Sequence, residues 1–261
     1  MHSAQSEVGV TEVGVAQNVP RPGHVAPVVP EPLRRSSAHV LVDAPGDLHA
    51  DVLPLGDEVE HHLRRVLRLR DGESVTATDG QGSWREFGAT VVGDTVTLTA
   101  RAQVGHLARR DAPVTVATAI PKGDRVDWLV QKCTELGADR IVFVHAENSV
   151  VRWKPERARR QTARLQRVAD EALRQSRRVW RVSVEGPVDA TEVLASFAVA
   201  EPGGRPVRAG DHSIAIGPEG GWSPAEIGTA GETVDLGPQI LRTETAATVA
   251  VALTIFCRNR V

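Results

Sequence analysis

Residues 216–226 read IGPEGGWSPAE, and residues 236–246 read LGPQILRTETA. Each stretch follows a short apolar run and leads into a predicted helix, so each combines a strand end, a glycine turn and a helix start. Ser223 and Glu226 form a capping box with Pro224 at the first helical position, which marks the start of the first helix. Glycine turns at such places leave backbone N–H and C=O groups open to a ligand. The two stretches therefore predict a small-molecule site built from main chain.

Neither glycine turn matches the phosphate-binding patterns of nucleotide-binding proteins. G-x-G-x-x-G is absent from both, and neither ends in Gly-Lys-Ser or Gly-Lys-Thr. The turns therefore indicate a cofactor of another kind. The sequence also lacks a histidine and cysteine cluster with metal-ligand spacing, so no metal is expected.

Strands and helices alternate through residues 111–261. Predicted strands cover residues 114–120, 140–145, 213–216 and 233–236, and predicted helices cover residues 124–136, 155–177, 190–197, 223–230 and 243–256. This alternation predicts an α/β domain with a parallel sheet, in which ligands bind at the carboxyl ends of the strands. Both glycine turns lie at such ends.

A different pattern fills residues 33–107. Apolar and β-branched residues alternate with polar ones in segments 38–42, 74–77, 84–92 and 95–99, and one helix is predicted over 57–69. Short strands joined by Asp-Gly and Gly-Asp turns predict a small β-barrel domain. Residues 1–32 contain five prolines and a single basic residue, Arg21. They are predicted to be a disordered extension and not a secretory signal.

The overall charge limits how the chain can bind nucleic acid. The formal net charge is −2 and the isoelectric point is near 6.5, so any RNA contact must come from a local basic patch. Cys133 and Cys257 stand apart without a C-x-x-C pattern, which predicts reduced, buried thiols in a cytoplasmic protein. No apolar run approaches the ~20 residues that span a membrane, so the chain is expected to be soluble.

Two further motifs accompany the glycine turns: IPKGDR at residues 120–125 and QKCTELG at residues 131–137. With these blocks in this order, the chain resembles the small-subunit ribosomal RNA uracil-N3 methyltransferases of the SPOUT superfamily, from about residue 33 to residue 256. The resemblance implies a PUA-like first domain that binds RNA, a C-terminal trefoil knot, and 16S ribosomal RNA or the small ribosomal subunit as substrate. It also implies a homodimer. The final helix is apolar on nearly all sides and needs cover on more than one face, which fits both knot and dimer.

The resemblance further implies S-adenosylmethionine as the cofactor, bound within the knotted loops. The residues expected to hold it are Ile216, Gly217, Pro218, Glu219, Gly220, Leu236, Gly237, Gln239, Ile240 and Leu241. Arg242 and Glu244 follow directly as the candidate catalytic residues. Uracil N3 carries a proton, so Arg242 suits the anion left on the ring, or a phosphate, unless it forms a salt bridge with Glu219 or Glu244. Glu244 is either a base or part of a helix cap.

The predicted helix near residues 155–178 carries eight arginines against three acidic residues. Arginines at steps of three, four or seven line one face of this helix. This face is either a solvated surface or a phosphate-binding stripe, and the excess of positive charge favours phosphate binding. QSRR at residues 175–178 and HLRRVLR at residues 62–68 resemble further blocks of the family. The predicted RNA contacts are His62, Arg65, Arg68, Lys122, Arg160, Arg167, Arg174, Gln175 and Arg178. His62 could instead have a structural role. Lys122 could instead contact the cofactor carboxylate or simply be an exposed lysine.

The chain departs from the family pattern at two positions. Asn148 stands where the family usually has an arginine, so one RNA or structural contact is expected to be missing, and Leu165 replaces a common tryptophan. Two other functions fit the sequence. Another SPOUT reaction, such as ribose 2′-O-methylation, shares the knot but not the blocks at 120–125 and 175–178. A non-catalytic RNA-binding assembly protein is expected to have a damaged cofactor turn, and both turns here are intact.

Overall fold

The structure is a computed structural model that describes residues 29–259. The expectation of a disordered extension therefore lies mostly outside the described residues. Helix α1 (Glu31–Arg35) buries the side chain of Leu33 completely. The first domain thus includes residue 31 and begins slightly before the predicted boundary at residue 33.

The first domain contains a five-stranded sheet in the order β1-β2-β3-β4, with β5 paired to β3. Its strands are β1 (Ala38–Leu41), β2 (Ser74–Thr78), β3 (Ser83–Val92), β4 (Thr95–Ala100) and β5 (Gly105–His106). The β1–β2 pair is parallel and the other pairs are antiparallel. Alternate residues point into one apolar core, among them Val40, Val75, Phe87 and Leu98. The alternating pattern therefore predicted the four longer strands correctly.

The helical region between β1 and β2 differs from the prediction. After a short 3₁₀ helix (Pro45–His49), α2 covers only Asp57–His61 and continues as a π-helical turn over His62–Val66. The wider turn lets the N–H of Leu67 bond to the C=O of His62 at 3.0 Å. Arg68 then adopts a positive φ of 53°. The single helix predicted over 57–69 therefore ends early.

The second domain contains a six-stranded sheet in which every neighbouring pair is parallel. In spatial order the strands are β11 (Glu232–Asp235), β9 (Ala198–Pro206), β10 (Ser213–Ile216), β6 (Thr115–Ala119), β7 (Arg140–His145) and β8 (Ser183–Asp189). The helices are α3 (Arg125–Leu136), α4 (Pro155–Ser176), α5 (Thr191–Leu194), α6 (Pro224–Thr229) and α7 (Thr243–Arg258). This is the predicted parallel α/β domain, and only α5 is much shorter than expected.

Helices cover both faces of the parallel sheet. One apolar core lies between the sheet and helices α3, α4 and α7, and contains Leu129, Phe143, Leu165 and Val251. The other lies on the opposite face beneath α5 and α6, around Leu194. Leu165 is fully buried, so the site of the family's tryptophan is a packing position. Within residues 29–259, no helix is long and apolar enough to cross a membrane.

Strands β8 and β9 were missed by the sequence analysis because proline and glycine interrupt both. β8 contains Gly186 and Pro187, and β9 contains Pro202, Gly203 and Gly204. β8 is an edge strand, where a missing N–H costs little. In β9 the proline falls at a register shift, between residues paired with Thr233 and Val234 of β11. Long-range pairing therefore overrides the local turn signals.

The two domains meet where the chain leaves α4. Gln81 of the β2–β3 turn forms a β-bridge with Trp180, and the N–H of Gly82 bonds to the C=O of Val179 at 2.9 Å. His39 of β1 contacts the C=O of Arg178 through Nε2 at 2.9 Å and Thr76 Oγ1 through Nδ1 at 2.8 Å. Burial lowers the pKa of His39 to about 4. These backbone contacts fix the first domain beside α4.

Candidate active site

The two glycine turns lie together at the carboxyl ends of β10 and β11. Thr243, the first residue of α7, donates from Oγ1 to the C=O of Gly217 at 3.1 Å and so ties the start of α7 to the first turn. A cleft of about 270 Å³ opens between the two turns and β9. Ligands of parallel α/β domains bind at this edge of the sheet.

All of the predicted cofactor residues except Gly220 line this cleft. They are Ile216, Gly217, Pro218, Glu219, Leu236, Gly237, Gln239, Ile240 and Leu241. Gly220 faces away, because a Cβ built on it would lie 3.2 Å from the Cβ of Asn148. Gly220 is therefore not among the residues that line the cleft, since the turn directs this one residue toward the neighbouring loop.

The cleft presents free main-chain groups beside apolar side chains. The N–H groups of Gln239, Ile240 and Leu241 have no hydrogen-bond acceptor among residues 29–259. Gly237 has a φ of +132° and open space where a Cβ would project. Trp222 also lines the cleft, and its buried Nε1 has no partner within the described range. A buried donor without a partner is costly, so Trp222 Nε1 and the open N–H groups of the second turn are suited to a ligand that has polar and apolar parts.

One wall of the cleft was not predicted from the sequence. Ala200, Glu201 and Pro202 of β9 complete it, together with Asp235 at the end of β11. Proline and glycine in β9 concealed its strand character, and no local motif marks these residues. They become neighbours of the glycine turns only because β9 lies between β10 and β11 in the sheet.

The two catalytic candidates differ in their surroundings. Arg242 is exposed immediately before α7 and forms neither of the expected salt bridges, with Glu219 or with Glu244. Glu244 is buried and does not line the cleft. Its Oε1 lies 3.7 Å from Nε of Arg125, and its Oε2 has no hydrogen-bond partner in the described part of the chain. Arg125, from the IPKGDR block, is thus a neighbour of Glu244 that the sequence did not reveal.

A second cleft of about 600 Å³ separates the first domain from α4, and we call it the interdomain cleft. It brings together the predicted RNA contacts His62, Arg167, Arg174 and Gln175. Further basic residues line it that were not predicted: His39, His61, Arg177 and Arg181. Acidic side chains also reach its wall: Asp43, Glu58, Asp170 and Glu171. A positive surface is therefore concentrated on only part of the cleft.

Several arginines of α4 have acidic partners within the protein. Arg164 donates to both carboxylate oxygens of Asp127 on α3, at 2.5 and 2.7 Å, and this contact raises the pKa of Arg164. Arg174 pairs with Glu171 at 2.5 Å, and Arg159 pairs with Glu156. No ion pair within residues 29–259 involves Arg157, Arg160 or Arg167, and all three are exposed. The phosphate-binding capacity of α4 is therefore smaller than the sequence indicated.

The QSRR block at the end of α4 forms the domain junction. Arg177 caps α4 with a φ of +58° and donates to the C=O of Ser36 at 2.9 Å. The Arg178 side chain is only 13% exposed and contacts Asp139 at 3.3 Å. Desolvation lowers the pKa of Arg178 to about 10 although Asp139 opposes the shift. The prediction of an RNA contact at Arg178 is therefore wrong for this conformation, because the guanidinium is used inside the fold.

The other predicted RNA contacts are dispersed. Arg65 lies 3.5 Å from Asp94 and its side chain is 64% exposed, while Arg68 is exposed on the same domain. Lys122 is exposed in the loop after β6, at the same edge of the sheet as the cofactor cleft. Residues 29–259 contain no group of three or more potential metal-binding side chains.

Comparison with known proteins agrees with this architecture. Residues 109–255 match the model of an RNA methyltransferase domain, and residues 55–87 match an RNA methyltransferase PUA domain. The ribosomal RNA small subunit methyltransferase E of Mycobacterium bovis is 34% identical over 243 residues, which cover 80% of this chain and 88% of that protein. The protein of the same name from Synechocystis sp. is 33% identical, over 82% of this chain and 76% of that protein.

A solved structure is similar to this chain over most of its length. It is a ribosomal RNA small subunit methyltransferase E from Neisseria gonorrhoeae bound to S-adenosyl methionine, 27% identical, with a TM-score of 0.69. The alignment covers 82% of this chain and 95% of the Neisseria chain. Sequence and structure therefore agree, and the chain belongs to the RNA methyltransferase family that includes the ribosomal RNA small subunit methyltransferase E proteins.

Proposed function

We propose that this protein transfers a methyl group from S-adenosylmethionine to N3 of a uridine in 16S ribosomal RNA, in the cytoplasm. The observation that carries the proposal is the convergence of the two glycine turns on one cleft lined by main chain. The names of its relatives supply the substrate class, since they are small-subunit ribosomal RNA methyltransferases. The uracil N3 position rests on the resemblance of the IPKGDR and QSRR blocks.

The cleft has the groups that S-adenosylmethionine requires. Ile216, Leu236 and Leu241 supply apolar surface for the adenine ring, and unpaired N–H groups of the second turn supply donors. When bound, the cofactor supplies an electrophilic methyl group on a sulfonium. The open space at Gly237 admits the ligand close to the backbone. A cleft that holds the cofactor in one orientation also positions the methyl group, and positioning can lower the barrier by ~7 kcal/mol or more.

Arg242 is the residue best placed to act on the base. Its guanidinium is exposed beside the cleft and has no internal partner within residues 29–259, so it is available to a substrate. Loss of the N3 proton leaves negative charge on the uracil oxygens, which a planar cation stabilises. Glu244 is a weaker candidate for the base, because it is buried beside Arg125 and not in the cleft wall.

We assign RNA binding to the interdomain cleft and the exposed arginines of α4. His62 of the first domain and Arg167, Arg174 and Gln175 of α4 line this cleft, and Arg160 continues the basic surface along α4. Arg65, Arg68 and Lys122 extend the proposed RNA path on either side. An RNA strand in this path would span both domains, which meet at the segment after α4.

The homodimer and the trefoil knot are also part of the proposal. Trp128 on α3 is 42% exposed, and Leu253 on α7 is only partly covered. These neighbouring helices present an apolar surface that a second copy of the chain would bury. Sedimentation equilibrium measures the mass directly, and a monomer at micromolar concentration would contradict the dimer.

Mass spectrometry of 16S ribosomal RNA from a strain lacking the gene tests the function. We expect one uridine to lose its N3 methyl group and the wild-type gene to restore it. A lost ribose methyl group would instead assign the alternative SPOUT reaction. Unchanged RNA that still binds the protein would indicate an assembly factor.

Arg242→Lys tests the assigned role of the arginine. A lysine keeps the charge but not the planar fork, so we expect kcat to fall about tenfold or more while the Kd for S-adenosylmethionine stays the same. Arg208→Lys, at an exposed position in the loop between β9 and β10, is the control and should keep its turnover. Equal kcat for Arg242→Lys and the wild type would remove Arg242 from the reaction.

A further inference from the structure

Asn148 contacts the first glycine turn from the side opposite the cofactor cleft. Its side-chain Nδ2 donates to the C=O of Gly221 at 3.1 Å and to the C=O of Gly220 at 3.4 Å. The Cβ of Asn148 lies 3.2 Å from where a Cβ on Gly220 would be, so the loop and the turn are also in close van der Waals contact. Gly221 itself lines the cleft.

The loop that carries Asn148 is held firmly. The N–H of Ala146 bonds to Oγ of Ser149 at 3.0 Å, and Nη2 of Arg152 donates to the C=O of Ala146 at 2.6 Å. The N–H of Glu147 bonds to Oε1 of Glu226 at 2.8 Å. Glu226 also closes the capping box of α6, so this loop is joined to the helix that follows the turn.

The turn has little internal support of its own. The N–H of Gly221 bonds to the C=O of Pro218 at 2.9 Å, and glycine at residues 220 and 221 permits many other backbone conformations. The side-chain amide of Asn148 holds two carbonyl oxygens of the turn and so restricts its backbone conformations. The conformation of the turn sets the shape of the cleft, because Pro218, Glu219 and Gly221 are all in its wall.

We propose that Asn148 is a positioning residue that holds the first glycine turn in the conformation competent to bind S-adenosylmethionine. The inference rests on the proposed function, since it concerns the same cofactor. It also accounts for the departure from the family pattern at this position. The carboxamide is used within the protein, where it contacts the carbonyl groups of the first glycine turn.

Two substitutions separate this role from an RNA contact. Asn148→Ala removes the donor, and Asn148→Asp keeps the shape but places a carboxylate against two carbonyl oxygens. We expect the Kd for S-adenosylmethionine, measured by calorimetry without RNA, to rise about three- to tenfold for the alanine variant. The Kd should rise further for the aspartate variant. In steady state, KM for S-adenosylmethionine should rise while kcat at saturation is retained.

Thr191→Val provides the matched control. Thr191 is the exposed first residue of α5, its Oγ1 donates to Oδ1 of Asp189 at 2.7 Å, and it does not line the cofactor cleft. The Thr191→Val variant should keep its cofactor affinity and unfolding midpoint close to the wild-type values. The midpoints of the Asn148 variants should also stay close to wild type.

The possible results have distinct meanings. Wild-type protein that fails to bind S-adenosylmethionine contradicts the proposed function itself. If the wild type binds S-adenosylmethionine and both Asn148 variants bind it with the same Kd as the wild type, only the positioning role is overturned. Weaker RNA binding by the variants with unchanged cofactor affinity would make Asn148 an RNA contact and also overturns the inference.

Discussion

Gly237 illustrates how one residue determines whether the cleft is open. It lines the cleft, its φ is +132°, and no atom lies within 4 Å of where a Cβ would project. A residue with a side chain would be strained at this φ, and the side chain would occupy space that a ligand could otherwise fill. Gly72, in the first domain, has a φ of +81° and similarly open surroundings, but it is remote from the cleft.

Gly237→Ala and Gly72→Ala therefore form a matched pair. Both should lower the free energy of unfolding by about 1 kcal/mol, because alanine is strained at positive φ. Only Gly237→Ala should weaken S-adenosylmethionine binding, by about tenfold or more, because its methyl group enters the cleft. Calorimetry and denaturant titration measure the two quantities. Equal cofactor affinity in the two variants would remove Gly237 from the binding surface.

At this scale the sequence predicted main-chain sites better than side-chain contacts. Glycine turns have a local cause, so the motifs alone predicted the residues that line the cleft, apart from Gly220. The burial of Arg178 could not be predicted, because its partner Asp139 lies in the loop between α3 and β7, 39 residues away. The contact between Arg125 and Glu244 has the same origin, since it joins the starts of two helices that are far apart in sequence.

At the scale of elements, α4 shows the limit of counting charges. Its arginine stripe is apparent from the sequence, but Asp127 on α3 neutralises Arg164 and is 37 residues away. The exposed arginines without acidic partners among residues 29–259 are the ones available to phosphate. Strand β9 shows a similar limit. Its pairing with β10 and β11 outweighs the local turn signals of its proline and glycine residues, so the sequence pattern did not predict it.

Two double variants of α4 test which arginines bind RNA. Arg160→Gln with Arg167→Gln should reduce the salt dependence of RNA binding by about 1.5 units of slope, since each lost phosphate contact contributes ~0.7–0.9. Arg159→Gln with Arg164→Gln removes the same charge from ion-paired positions and should change the slope little. Filter binding across salt concentrations gives both slopes. Equal slopes for the two variants would mean that only bulk charge matters.

For the whole molecule, the segment after α4 holds the two domains together. The interdomain cleft exists because the segment after α4 bonds to β1 and to the β2–β3 turn. The two-domain organisation was predictable from the change in hydrophobic period near residue 110, whereas this junction was not. Its contacts are mostly to backbone groups, which leave no signature in the sequence.

His39 makes the junction sensitive to acid. It is 4% exposed, it bonds to Thr76 and to the C=O of Arg178, and Arg177 and Arg174 add positive potential nearby. Burial is the main reason that its pKa falls from 6.5 to about 4. The unfolded chain therefore binds a proton at a higher pH than the folded protein does. Stability from neutral His39 is fully present above pH 6.5 and is lost as the pH falls toward 4.

We expect the free energy of unfolding to decrease by on the order of 3 kcal/mol from this group as the pH falls across that range. His39→Gln removes the titrating group, so its stability should change less with pH, although it is less stable than the wild type at pH 7 because the junction is altered. Denaturant titrations at several pH values give the difference between the two proteins. That difference should shrink as the pH falls, because only the wild type must protonate a buried ring. Parallel pH profiles would show that His39 does not couple the junction to protonation.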